Sequence, residues 1–395
     1  MKAGWEKIAL GEVFTTVTGN TPSKSNSEFF GDFMPLVKPP ELCDSTVDSA
    51  EDGLSEAGVE VARTVPPNSI LVSCIGNLGK VALNTIPVAF NQQINAILPD
   101  ENRAVPEFIF YQVLSCDFKD QLEALSSGTT VPIVNKSRFN SIGIVLPPLA
   151  EQQRIVGVLD EAFAGLATAK ANAEKNLQNA RALFESHLQS VFTHRDDDWV
   201  ERRLGDVITR LTNGYVGPTR NIYQESGVPY LLARHVKDNR LLFDGRTFIT
   251  EEFNRRNKKS MLKAGDVLLV QSGHIGHSAV VTPEHEGHNC HAMIVISSVE
   301  GAFIGPFLSL FFNSSGMKQR FQEIRSGSTV PHLTCGEVKE LKVPLPDLDT
   351  QRRVVDRSLE LERETQRLAA ITERKLAALE ALKKSLLHQA FSGAL

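Results

Sequence analysis

The chain has 395 residues, 42% of them hydrophobic and 23% charged, which excludes a disordered polyelectrolyte and exceeds what one hydrophobic core organises, so two globular domains are expected. A formal net charge of −5 excludes a uniformly basic nucleic-acid binder. The balance is uneven, however: residues 1–150 carry 10 Lys+Arg against 17 Asp+Glu, and residues 199–346 carry 18 against 14.

In chain order, Trp5 is followed by Leu10-Gly11-Glu12-Val13, and then by a polar loop, Gly19 to Asn26. An acidic stretch with Glu41, Asp44, Asp48, Glu51, Asp52, Glu56 and Glu60 precedes the apolar run Ile70-Leu71-Val72, which enters the glycine-punctuated loop Gly76-Asn77-Leu78-Gly79. From Pro106 to Leu125 the spacing of Phe108, Tyr111, Leu114 and Leu122 predicts one amphipathic helix. Ser127-Gly128-Thr129-Thr130-Val131-Pro132 and Leu146-Pro147-Pro148-Leu149 then lead into a long helix from Glu151 to about Phe192, with two Gly and no Pro. Its residues Ile155, Leu159, Ala162, Leu166, Ala169 and Ala173 write a narrow seam.

The whole series then recurs. Trp199 precedes Leu204-Gly205-Asp206-Val207; Val267-Leu268-Leu269 enters Gly273-His274-Ile275-Gly276; Ser326-Gly327-Ser328-Thr329-Val330-Pro331 precedes Leu345-Pro346-Asp347-Leu348; and Gln152-Gln153-Arg154 returns as Gln351-Arg352-Arg353. The offset grows from 194 to 197 and settles at 199, placing insertions in the second globular part. A second long helix runs from Gln351 to Phe391, with Leu376, Leu379, Leu382 and Leu386 as its seam. Each helix would be roughly 60 Å long at ~1.5 Å per residue. A stripe this narrow calls for a helical partner, so the two helices are expected to pair antiparallel as a rod with a globular domain near each end. The alternative is that each helix packs back on its own domain. The domains themselves read as α/β, with short strands and turn-rich loops. The expected division is 1–150, first globular domain; 151–195, first long helix; 196–346, second globular domain; and 347–395, second long helix.

The five cysteines, at 43, 74, 116, 290 and 335, form no CxxC pair and suit free thiols in a reducing compartment. Without an apolar signal core or a run of roughly 18 apolar residues, a soluble, cytoplasmic protein is expected. No dinucleotide fingerprint, phosphate loop or nucleophile elbow is present; Gly76-Asn77-Leu78-Gly79-Lys80 lacks the phosphate-loop spacing. The Pro-Pro pairs at 39, 66 and 147 are not in the tetrapeptide with which amino-methyltransferases hold a flipped base. His274, His277, His285, His288, Cys290 and His291 offer metal-ligand residue types within eighteen positions, but with a single cysteine the reading is a polar loop surface and no metal.

Two globular repeats, each ending in Leu-Pro-x-Leu, then Gln and Arg, then a long helix, resemble the specificity subunits of type I restriction-modification enzymes over nearly the whole chain. The resemblance includes the Gly19–Asn26 loop and the ending Ala390-Phe391-Ser392-Gly393-Ala394-Leu395. It implies two target recognition domains separated by two long helices that form an antiparallel coiled coil, each domain reading half of a bipartite double-stranded DNA target. It further implies two methyltransferase subunits and two restriction subunits as partners. S-adenosylmethionine, ATP and Mg would belong to those partners, so this chain is expected to be no enzyme and to hold no cofactor. Base readout needs side chains with fixed donors and acceptors. In the first domain these are expected to be Lys24, Lys38, Asn77, Lys80, Thr129 and Asn135, and in the second Arg220, Arg234, His235, Gln271, His274, Ser328 and Thr329. For Thr129 and Asn135 a helix cap or turn contact is the plainer alternative. The acidic first domain implies that the isolated chain binds DNA weakly and mainly through its second domain. Two other readings compete: a structural adaptor, which would show no sequence-selective DNA binding, and a metal-dependent nuclease, for which no carboxylate-lysine constellation is found.

Overall fold

The computed structural model describes residues 4–128, 130–195, 198–219, 221–237, 239–325 and 331–395. It resolves into two compact units, Met1–Glu174 with Arg374–Leu395, and Lys175–Glu373, so each unit takes part of each long helix.

In the first unit, strands Thr15–Thr18, Ile94–Leu98, Ile70–Ser73, Val81–Asn84 and Ser45–Val47 lie side by side in that order. All neighbours are antiparallel except the last pair. The central strands read as unbroken apolar runs because both faces are covered. Alternate residues point to opposite sides: Ile70, Val72, Val81 and Ile97 enter one core with the helices, and Leu71, Ala82 and Ala96 enter another. A smaller sheet, Gly53–Leu54, Phe30–Val37, Val88–Phe90 and Thr64–Val65, adjoins that second core. The second unit repeats the scheme with Ile208–Asn213, Met293–Ser298, Val267–Val270 and Ser278–Val280. There Val267, Leu269, Ile294 and Ile296 face one core, and Leu268, Val270, Met293 and Val295 the other.

The repeated Trp/Leu-Gly-acid-Val entry closes each unit. Glu6–Ala9 pairs antiparallel with Gly143–Leu146, and Val200–Arg203 with Lys342–Leu345. Leu10 and Leu204 follow, wholly buried, with backbone bonds to Ile142 (2.9 Å) and Leu341 (2.8 Å). Burying each stabilises its unit by ~1.5–3 kcal/mol.

The single helix expected from Pro106 to Leu125 is two, Pro106–Leu114 and Cys116–Ala124. Ser115 is extended between them. Its hydroxyl donates to the Gln112 carbonyl (2.6 Å) and accepts from Phe118 N (3.3 Å), the competition with helical bonding that favours serine at caps. Ser314 divides Gly305–Asn313 from Ser315–Ile324 in the same way.

The long helices are Leu149–Thr193 and Leu348–Ser392, 45 residues each. Inside the first unit their segments run antiparallel, with Arg154 donating to the Leu395 carbonyl (2.9 Å) and Lys170 paired with Glu380 (3.0 Å). Inside the second, Arg181 pairs with Glu373 (3.3 Å) and His187 Nε2 contacts Ser358 Oγ at 3.2 Å. The ends also pack into their own unit's core, through Ile155, Leu159, Leu387 and Ala390 in the first and Leu188, Phe192 and Val355 in the second. Both packing modes weighed for these helices therefore occur. Leu376, Leu379 and Leu386 of the expected seam are half-buried, but Leu382 is exposed and half-buried Lys383 takes its inward position, because one residue turns the helix by 100°. Among the described residues, no helix is long and apolar enough to cross a membrane.

Candidate nucleic-acid interface

In each unit two loops that are distant in sequence are laced together at one end of the main sheet. In the first, the Ile70–Ser73 strand turns through Gly76 and Gly79, at φ +77° and +75°, a conformation that glycine adopts without strain. Ser73 pins the turn: its hydroxyl donates to the Asn77 carbonyl (2.6 Å) and accepts from Lys80 N (2.9 Å), leaving the Asn77 side chain exposed at the tip. The segment 130–134 is bound alongside. Gly76 N donates to the Pro132 carbonyl and Val134 N to the Cys74 carbonyl, both at 2.9 Å. Val131 and Ile133 are exposed on this loop.

The second unit builds the same arrangement. Gly273 and Gly276 sit at φ +74° and +92°, and Gly276 N donates to the Val270 carbonyl at 3.0 Å. Leu333 N donates to the Gln271 carbonyl at 2.9 Å, and Ser272 bridges His332. His274 is exposed at the tip, its ring 5.8 Å from that of His277. The Gln271 Oε1 is buried with no hydrogen-bond partner among the described residues.

A third loop enters each unit at a close approach. A Cβ on Gly19 would lie 2.2 Å from the Phe90 carbonyl oxygen, and one on Gly214 2.5 Å from that of Cys290. Beyond Gly19, Asn20 is fixed by Arg63 N (2.6 Å) and the Val61 carbonyl (3.0 Å), and Asn26 caps the turn at Ser27–Phe29. Lys24 stands exposed on this loop with no ion pair among the described residues. Beyond Gly214, Tyr215 packs edge-on against Phe253 at 5.0 Å, with Val216 exposed.

Of the residues expected to read DNA, Lys24, Asn77 and His274 are exposed on these loops, and Lys80 is half-buried beside Asn77. Thr129, Arg220, Ser328 and Thr329 lie outside the described residues. Gln271 is half-buried with its Oε1 unpartnered among the described residues, and the other four are already engaged. The ammonium of Lys38 pairs with Asp52. Asn135 Oδ1 accepts from Arg138 N at 2.9 Å and caps the helix Lys136–Asn140, the plainer alternative for that residue. Arg234 pairs with Asp244 at 3.2 Å. For His235 the structure argues against the sequence reading: it is wholly buried, Nδ1 accepts from Leu232 N (3.0 Å) and Nε2 contacts Asp244 Oδ1 (3.1 Å), leaving neither nitrogen for a base edge.

The histidine cluster disperses. His274 stacks edgewise with His277, and His285 with His288 at 5.6 Å, while His291 Nδ1 lies 3.4 Å from the Tyr230 hydroxyl. Cys290 is fully buried, and burial pushes its thiol up to about 12. Among the described residues no group of three His, Cys, Asp or Glu could hold a metal ion.

In the acidic stretch, Asp52 pairs with Lys38 and Asp44 with Lys119 (3.7 Å), while Asp48, Glu51, Glu56 and Glu60 are exposed. Sequence reasoning passed over Arg255, Arg256, Lys258, Lys259 and Lys263, all exposed. Five cations in nine positions were the available signal.

Comparison with known proteins matches this architecture. The family model described as Type I restriction modification DNA specificity domain matches twice, over residues 2–177 and 196–381. The HindI specificity subunit of Haemophilus influenzae is 36% identical over 148 residues, 36% of this chain and 32% of that protein, so this match spans about a third of the relative. The EcoBI specificity subunit of Escherichia coli is 22% identical over 416 residues, covering 99% of this chain and 86% of that one. A chain solved in work on complex assembly and conformational transition of the type I R-M system superposes with a TM-score of 0.81 at 20% identity, over 100% of this chain and 99% of the other, and so shares its fold.

Proposed function

Since the chain belongs to the type I restriction modification DNA specificity domain family, of non-catalytic recognition subunits, we propose that its two units each read one half of a bipartite double-stranded DNA target. The observation that carries this reading is the duplication of the laced loops. Asn77 and His274 stand at equivalent tips, each on a glycine turn locked to a second loop by backbone bonds. Glycine turns are cheap to build anywhere, but lacing each to a remote segment makes a rigid platform from which a few variable side chains can enter the major groove. In the first unit Lys24, Asn77, Lys80 and Thr129 read or position DNA. In the second, His274, Gln271, Arg220, Ser328 and Thr329 do so. The helices set the unread spacer and dock two methyltransferase subunits, and two restriction subunits complete the assembly. S-adenosylmethionine, ATP and Mg serve those partners.

The test is co-expression with a cognate methyltransferase subunit, purification of the complex and sequencing of DNA for modified adenines. A single bipartite motif that disappears when this chain is omitted supports the reading. A stable complex that modifies no motif would refute it.

A further inference from the structure

The two units carry opposite net charge along one equivalent segment, although the short helix in each begins with glutamate. In the first, Ser55 caps the short helix Glu56–Val61, accepting from Gly58 N at 3.2 Å; Glu56 and Glu60 are exposed on it. In the second, Thr250 caps the helix Glu251–Arg256, accepting from Phe253 N at 2.9 Å, and the chain continues through Lys258–Ser260 to Lys263 before the Val267–Val270 strand. Asn68 (φ +66°) and Gly265 (φ +88°) make the matching turns into the strands.

Arg255, Lys258, Lys259 and Lys263 are all exposed, and among the described residues none has a carboxylate within ion-pair distance. Arg256 is different, being held by Glu252 one turn back. A helix C-terminus accounts for Arg255 through the dipole, but the three lysines lie beyond the helix, where that attraction has faded. The matching segment of the first unit, residues 56–68, has a single Lys or Arg, Arg63, which donates to the Thr18 carbonyl at 2.7 Å. The run is anchored to the candidate interface: Phe253 packs on Tyr215 of the third loop, and Leu262 N donates to the His288 carbonyl at 2.9 Å. Asn289 Nδ2 donates to the Asn257 carbonyl at 3.1 Å, holding the backbone between the cations in place.

We infer that Arg255, Lys258, Lys259 and Lys263 form a phosphate-contact strip which grips the DNA backbone beside the half-site of the second unit, with no counterpart in the first. The inference rests on the DNA-recognition reading above. Backbone grip is then unequal while base readout is duplicated: the second unit supplies sequence-independent affinity, and the first depends on it or on partner subunits for charge. Phosphate contacts carry register and salt dependence without sequence information, so the strip and the loop tips are separable by experiment.

The experiment uses the full chain in complex with its methyltransferase subunit. Affinity is measured across a salt series, on a duplex carrying the methylated motif and on one without it. The triple variant K258Q/K259Q/K263Q is expected to flatten the slope of log K against log salt by about 2–3, at ~0.9 per lost phosphate contact. Affinity should fall by a similar factor on both duplexes, with the methylated motif unchanged. E56Q/E60Q in the first unit is expected to change the slope by less than half as much. If the lysine variant folds, as its unfolding midpoint will report, and its salt slope equals that of the parent while the motif persists, the strip is refuted and the recognition reading survives. If the parent complex itself shows no preference for any duplex, both fall together.

Discussion

The Gln152 carboxamide donates to the Pro147 carbonyl at 2.8 Å, tying the first turn of a long helix to the strand end that leads into it. The same side chain donates to the Arg103 carbonyl (3.0 Å) and accepts from Val105 N (2.9 Å), so one buried group joins helix, strand and the entry to the Pro106–Leu114 helix. Gln351 repeats all three contacts, on the Pro346 carbonyl (2.9 Å), the Ala302 carbonyl (3.3 Å) and Ile304 N (3.0 Å). This is why the glutamine recurs in both Leu-Pro-x-Leu segments.

Gln152→Leu keeps the volume but strands a buried amide N–H and two carbonyls. At ~1–3 kcal/mol for each unsatisfied group, with partial relaxation, the loss should be about 2–5 kcal/mol. Gln351→Leu should cost about as much. Urea unfolding followed by fluorescence checks both, and a loss below ~1 kcal/mol in either would show that these contacts are not structural.

Close approaches make a second, graded prediction. A Cβ on Gly11 would sit 2.6 Å from Asn140 Cβ, whose side chain is held by Thr16 Oγ1 at 2.7 Å, whereas one on Gly205 would meet Lys339 Cγ at 2.6 Å, which rotation about χ1 can move away, and the Lys339 carbonyl oxygen at 3.2 Å. Gly11→Ala is therefore expected to cost about 1–3 kcal/mol and Gly205→Ala clearly less. Equal losses in thermal unfolding would contradict the difference in neighbours.

The duplication, the boundaries of both long helices and the glycine loops were legible in the sequence because each rests on local signals: repeated motifs, helical composition and turn residues. Ser115 was not read as a break, since serine inside an apolar period looks like a solvated helix position until its hydroxyl is seen capping Phe118. His235 was misread because polarity and a loop position suggest exposure, and only the fold reveals Asp244 and Leu232 around the ring. Leu382 shows how a heptad drifts: a third leucine spaced by three continues the seam on paper, while the packed helix turns Lys383 inward between Leu379 and Leu386. The lacing of Gly76 to Pro132 joins residues too far apart for any local pattern to report.

Histidine placement predicts where acid acts first. Nine of the ten histidines lie in the Lys175–Glu373 unit. Burial holds His187, His235, His288 and His291 below the ordinary imidazole value; in His235 Asp244 only partly offsets it, and in His187 nearby Arg357 adds to it. A histidine depressed in the folded state binds its proton more tightly after unfolding. Its stabilising contribution is therefore present above the unfolded value of ~6.5 and is lost as pH falls from there towards the lowered folded values. Unfolding free energy measured from pH 7.5 to 5 should decline, and amide exchange should rise first in the second unit. His235→Asn, which accepts no proton, should make the decline shallower, and an unchanged slope would remove His235 from the account.

Base readout at two equivalent tips should be separable by half-site. Asn77→Ala removes a carboxamide suited to adenine, and His274→Ala an imidazole, each from an exposed position on a turn whose geometry is set by backbone bonds and glycines. Neither change should disturb folding. A good base contact contributes ~1–3 kcal/mol of discrimination, so losing it should relax selectivity at one position by about 5–150-fold. Sequencing modified adenines from cells that express each variant with the methyltransferase subunit should show Asn77→Ala degenerate in one half of the motif only and His274→Ala in the other half only. Degeneracy of both halves from a single change would mean that the tips act through a shared element rather than as independent readers. An intact motif in both variants would leave readout to the adjoining segments at 130–134 and 331–333, whose backbone bonds to the glycine turns would then be the feature that positions them.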